Sequence, residues 1–243
     1  SVTGIAACQP IQPFGQVPYA GEIFEADIAE IERETKAVEH EMRSQLGGTG
    51  RRLAFRSAAT YQELADYIAG EARIADFIVT APDIGGIMLG ETRRTSIGDL
   101  VMDAGRPVII VPSDSAECLL GHVVVAWKDT RSSRRAVSDA LPLLRHAARV
   151  TVAEVTREAD LENGIRRTDD VVDWLQVHGV RAGSIVRISD GTDTECLHRL
   201  LDEENCDFVV AGAYGRSRLG EWIFGGVTTD LLLSPDRCTM VSH

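Results

Sequence analysis

No run of apolar residues in this 243-residue chain approaches the ~18 to 20 positions a helix needs to cross a bilayer; the longest are strand-length pieces such as Val123 to Trp127 and Val108 to Val111. Aromatic residues make up only 5%, and the five cysteines (Cys8, Cys118, Cys196, Cys206, Cys238) are odd in number and form no CxxC pair. That spacing suits neither a disulfide framework nor a zinc ligand set, and it fits a reducing cytoplasm. Cys196 and His198 lie two apart beside Cys206, and residues two apart on a helix point in different directions, so these thiols read as packed small hydrophobes. Positive charge is in deficit: 25 Lys and Arg against 37 Asp and Glu leave a formal charge of −12. Such a surface repels phosphate backbones and disfavours sequence-independent nucleic-acid binding. The chain does have the makings of a core, with 44% hydrophobic and 26% charged residues. This is an ordinary globular composition, sufficient for one to two domains at roughly 150 residues each.

The chain repeats itself at an offset of 131 positions. Ala75-Asp76-Phe77-Ile78-Val79 resembles Cys206-Asp207-Phe208-Val209-Val210, and Arg106 to Val111 falls opposite Arg237 to Ser242. The same offset aligns Arg51 to Arg56 with Ala182 to Arg187, and Tyr61 to Ala75 with Thr192 to Cys206, without a gap. Two copies of one unit are the simplest account, and repeats of this kind organise the rest of the reading. The boundaries are 1–117 for the first copy and 118–243 for the second.

In the second copy, β-branched runs at His122 to Trp127, Val150 to Val155, Ser184 to Ile188, Phe208 to Ala211 and Thr239 to Val241 alternate with helical stretches. The helices are expected near Ser132 to His146, Thr168 to His178, Asp193 to Glu204 and Leu219 to Leu233. Strands alternating with helices imply right-handed crossovers and a doubly wound parallel α/β sheet, whose ligands bind outside the carboxyl ends of the strands. In the first copy, Val2 to Ala7 corresponds to the second strand, and nothing before it matches 121–149. That missing strand lies mid-sheet, where unpaired backbone is costly. The expectation is a fragment, or a natural protein with an earlier segment. A loop marked by Pro10, Pro13, Gly15 and Pro18 then leads to a long helix with one apolar stripe of Phe24, Ile28, Ile31, Val38 and Met42. The many glutamates around the stripe read as its solvated face.

The distinctive segment runs from Gly212 to Thr228 and begins where the fourth strand of the second copy ends. Glycines at 212 and 215 let the backbone turn and approach a ligand closely, while Gly225 and Gly226 interrupt the following helical stretch near Thr228. Loop and helix-start amides of this kind cradle phosphate. Simple turn geometry accounts for the glycines equally well.

Gly-x-x-Gly, nine residues, then Gly, read here as Gly212, Gly215 and Gly225, resembles the nucleotide loop of the universal stress protein family. The resemblance extends from Gly121 to His243 through the Val-Val-Val-Ala-Trp opening strand, the Arg135-Ala136-Val137 helix and the Asp207-Phe208-Val209-Val210 strand. It covers the first copy weakly from its second strand onward. The chain looks like a tandem universal stress protein, with two five-stranded doubly wound sheets of the adenine nucleotide alpha hydrolase-like type, the first lacking its initial strand and helix. The resemblance implies ATP or a related adenine nucleotide as ligand, held at Gly212, Gly215 and Gly225, and the residues themselves add Arg216, Gly226, Thr228, Lys128 and Asp129 as candidate contacts. It implies no metal and at most slow hydrolysis. It also implies that the last strands of the two copies, Val108 to Val111 and Thr239 to Ser242, pair within the chain as a pseudo-dimer, with which a further homodimer is compatible.

Two positions depart from the ATP-binding pattern. Gly226 stands where binders carry Ser or Thr after the third glycine, and Lys128 stands where they carry an acidic residue, with Asp129 one step later. The first copy places Ala81, Ile84, Arg94 and Thr95 opposite Gly212, Gly215, Gly225 and Gly226, so its phosphate site is expected to be lost. No GxxxxGK[ST], HExxH or GxSxG motif is present, the six histidines are scattered, and no base and nucleophile form a pair. The expected protein is a cytoplasmic stress-response module with an adenine nucleotide and unknown proteins as partners, and with neither nucleic acid nor membrane. Its rivals are a tandem scaffold without a ligand and a slow ATPase.

Overall fold

The computed structural model describes residues 1–11, 20–82, 95–112, 117–213 and 236–243. Their elements are β1 (Val2–Cys8), α1 (Ala20–Leu46), β2 (Leu53–Ala59), α2 (Leu64–Glu71), β3 (Ile78–Thr80), α3 (Ile97–Asp103), β4 (Val108–Ile110), β5 (His122–Ala126), α4 (Arg131–Leu144), β6 (Arg149–Thr156), α5 (Leu161–Val177), β7 (Ala182–Ile188), α6 (Asp193–Glu203), β8 (Phe208–Gly212) and β9 (Cys238–Ser242). The fold is α/β, with one sheet ordered β3-β4-β9-β8-β5-β6-β7 and a separate parallel pair β1-β2.

β5 lies between β6 and β8 and is parallel to both, and its valines are buried on both faces because helices cover the sheet on each side. Val123 and Val125 join Ala136, Ala140 and Leu144 of α4 and Val172 and Leu175 of α5 in one cluster, while Val124 joins Leu197, Leu200 and Leu201 of α6 in another. Alternate strand residues thus feed opposite helix layers, each buried Val or Leu contributing about 1.5–3 kcal/mol. The starts of the helices are set by side-chain caps. Thr130 Oγ1 accepts from Ser133 N at 3.2 Å ahead of α4, and Thr192 and Glu195 form a reciprocal capping box ahead of α6. In the order β7-β6-β5-β8-β9 the chain winds one way from β5 and the other way to β8. That reversal opens a crevice at the carboxyl ends of β5 and β8.

α5 begins at Leu161, seven residues before the expected Thr168. Asn163-Gly164 has the composition of a loop, yet Gly164 is buried within the helix, and a Cβ there would lie 3.2 Å from Val186 Cγ1 and 3.4 Å from Thr156 Cγ2. The glycine lets α5 sit close on β6 and β7. It does not break the helix.

The register supports the internal repeat. Ile78 pairs with Val108 in β3 and β4, and Val209 pairs with Thr239 in β8 and β9, each residue displaced by the same 131 positions. β4 pairs antiparallel with β9, Val108 opposite Val241 and Ile110 opposite Thr239, so the last strands of the two copies are joined edge to edge in one sheet. The first copy's strands form two pairs, β1 with β2 and β3 with β4. In the second copy the strand linking the equivalent pairs is β5, and the described residues of the first copy contain no counterpart of it. By packing, Ser1–Arg73 and α3 make one compact unit, and β3 and β4 belong with 105–243 in the other. On α1, Ile31 is buried as its stripe predicts, but Val38 is 49% exposed. Buried Thr35 continues the inner face instead, its Oγ1 donating to Ile31 O at 2.9 Å. No helix among the described residues is long and apolar enough to cross a membrane.

Candidate functional site

β5 ends at Ala126, and the chain turns through 127–130 into α4. Trp127 N still donates to Ala153 O at 2.7 Å, which fixes the start of the turn against β6. The next two side chains diverge. Lys128 Nζ reaches across to Asp193 Oδ2 of α6 at 3.4 Å, and Asp129 Oδ1 accepts from Arg134 Nη2 of α4 at 2.5 Å. Both pairs are solvent-exposed, so they hold weakly and exchange readily with a ligand. Thr130 Oγ1 lies 3.2 Å and 3.0 Å from the hydroxyls of Ser132 and Ser133, a small cluster at the positive end of the α4 dipole.

Gly212 closes β8 directly beside this turn. A Cβ at 212 would meet Ser133 N and lie 2.6 Å from Ser132 C and 2.8 Å from Ser133 Cα. These are backbone atoms that cannot swing aside, so only glycine lets the end of β8 abut the first turn of α4. Ala213 N then donates to Ser242 O at 2.8 Å, fixing the point from which the chain continues. Lys128, Asp129 and Gly212 are thus brought to the ends of neighbouring strands, while Gly215, Arg216, Gly225, Gly226 and Thr228 lie outside the described residues. Ile84 and Arg94, the first-copy counterparts of Gly215 and Gly225, lie outside them as well.

Sequence reasoning missed Ser132 and Ser133, whose signal was a Thr-x-x-Ser step ahead of an apolar helix, and it missed a buried ion pair. Glu154 on β6 is 4% exposed, and Arg167 of α5 donates to its Oε1 at 2.5 Å and to Asp160 Oδ2 at 2.8 Å. The guanidinium of Arg167, helped by Asn163, holds the Asp160 carboxyl below its ordinary value. A glutamate at a valine-type position of a buried strand was the available signal. His122, at the opposite end of β5, is buried with its ring nitrogens 2.7 Å from Glu204 O and 2.8 Å from Thr151 Oγ1, a role in holding strands together. Cys196, Cys206 and Cys238 are buried free thiols, whereas Cys118 is exposed because it lies in the segment joining the copies. No group of three metal-binding side chains occurs among the described residues.

No family model matches the chain, and no curated protein sequence matches it. Solved structures do. A universal stress protein from Archaeoglobus fulgidus DSM 4304 superposes on 98% of this chain and 87% of its own with a TM-score of 0.69 at 15% identity. A functionally unknown protein from Pseudomonas aeruginosa PAO1 matches 99% of this chain and 92% of its own with a TM-score of 0.60 at 13% identity. The chain therefore has the universal stress protein fold, retained across nearly its whole length.

Proposed function

We propose that this chain is a universal stress protein that binds ATP or a related adenine nucleotide at the carboxyl ends of β5 and β8 and acts in the stress response as a sensor or partner-binding module. The observation that carries the reading is Gly212, whose missing side chain lets β8 end against the first turn of α4. The Gly-x-x-Gly segment thus leaves the sheet at its switch point, beside a helix start with three clustered hydroxyls. Backbone amides there suit phosphate, and Lys128, released from Asp193, would add a cation on the neighbouring strand. Arg216 and the hydroxyl of Thr228 are the sequence's further contributions. The reading is of binding, with at most slow hydrolysis, and its signal is a change in what the bound form presents. The ligand-free scaffold draws support from one contact. Asp129, the nearest carboxylate to the family's acidic position, is engaged by Arg134.

The test is a substitution pair read by ATP calorimetry. Gly215→Val should abolish binding while leaving the circular dichroism spectrum unchanged, and Ala81→Val in the first copy should leave binding intact. Unchanged affinity in Gly215→Val, or loss in Ala81→Val, would place the nucleotide elsewhere.

A further inference from the structure

A second concavity lies on the helix layer formed by α4 and α5, adjoining the 127–130 turn. It has a volume of about 440 Å³ and is lined by Trp127, Trp174, Asp129, Asp170, Arg134 and Arg167. Val137 and Val171 complete its apolar wall. A cavity of this size with aromatic walls and a few polar groups has the anatomy of a small-molecule site. Its charges decide what it would take. Arg134 is matched by Asp129 at 2.5 Å, and Arg167 by Glu154 and Asp160 at 2.5 Å and 2.8 Å, so both cations are neutralised by the protein's own carboxylates. Asp170 has no partner among the described residues. The unbalanced charge facing the cavity is therefore negative.

The aromatic walls favour the same kind of ligand. Trp174 is 38% exposed and is braced on one side by the His178 ring, with centroids 4.1 Å apart, while His178 Nδ1 lies 2.8 Å from Trp174 O. This leaves its remaining surface available without a further ordering cost. Trp127, only 8% exposed, contributes a second indole. An indole face attracts a cation through its quadrupole, and the attraction grows where water is excluded.

We infer that this cavity binds a small organic cation with an apolar or aromatic body, its ammonium directed to Asp170 and its body between Trp127 and Trp174. This inference does not rest on the nucleotide reading, although Asp129 of the 127–130 turn borders both places. It uses neither the glycine segment nor Lys128.

Benzylamine is a suitable probe, with benzyl alcohol and benzoate as neutral and anionic counterparts, titrated into the full chain while the tryptophan indole N–H signals are followed by NMR. Benzylamine should shift the signals of Trp127 and Trp174 and bind more tightly than benzyl alcohol, with benzoate weakest. Trp174→Ala should weaken binding about tenfold, and Asp170→Asn about fivefold, without changing ATP binding. Asp170 is exposed, so its variant will fold, and the thermal melt checks this. Benzoate binding as well as benzylamine, undiminished benzylamine affinity in Asp170→Asn, or no indole shift with any probe would each overturn the inference.

Discussion

At Gly212 one hydrogen replaces a side chain because the backbone of Ser132 and Ser133 occupies the space a Cβ would need. Substitution there therefore perturbs the fold as well as any ligand. Gly212→Ala should lower unfolding stability in urea by about 1–3 kcal/mol through displacement of the α4 first turn. Gly183→Ala, at a position with open space around it, should change stability far less. The buried pair gives a second prediction. Glu154→Gln keeps the shape but removes the charge facing Arg167, and because Asp160 remains as a partner the loss should be about 2 kcal/mol. Acid titration adds a third. Asp160 and Asp190, held by Arg167 and Arg199, and Glu195, held by the amide and hydroxyl of Thr192, have carboxyls below their ordinary values. Their stabilisation is full above the ordinary carboxylate pKa of roughly 4 and is lost as pH falls through the lower folded values. Asp160→Asn should flatten the stability curve in that acid range, leaving the variant less stable than the parent at neutral pH and level with it once pH falls below the folded value. Gly212 was legible in the sequence as a special glycine. The contact that makes it special was not, because Ser132 and Ser133 are 79–80 positions away along the chain.

At the level of elements, the strands of the second copy were legible because Val123 to Val125 and Phe208 to Val210 are apolar on both faces, as a parallel strand under two helix layers requires. The beginning of α5 was not, because Asn163-Gly164 carries a loop signature that close packing on Val186 overrides. The β4 and β9 pair is the element on which the repeat turns. Met240 in β9 is fully buried opposite Ile109. Met240→Ala should cost about 2–5 kcal/mol, measured by urea unfolding, and should loosen β4 along with β9.

At the scale of the whole molecule, sequence and packing divide the chain differently. β3 and β4 come from the first copy but share a sheet and a compact unit with the second, while β1, β2 and α1 form a unit of their own. Hydrogen exchange should therefore give β4 amides the protection of β9, with β1 and β2 opening as a separate group. Equal protection of β1 and β4, with β9 distinct, would instead make the repeat boundary at residue 117 the boundary between opening units. The family resemblance implied the β4 and β9 partnership, and the offset of 131 marked the two as equivalent strands, in keeping with the equal register of β3–β4 and β8–β9. It could not show which body the strands join, since that depends on tertiary packing. The proposed function requires one adenine nucleotide per chain, in the second copy. Its most direct test is mass spectrometry of small molecules released on denaturing purified, undialysed protein, with ATP calorimetry on the emptied chain. The expected result is about one nucleotide per chain, or one calorimetric site that disappears in Gly215→Val. Finding no released nucleotide and no heat on adding ATP would contradict it.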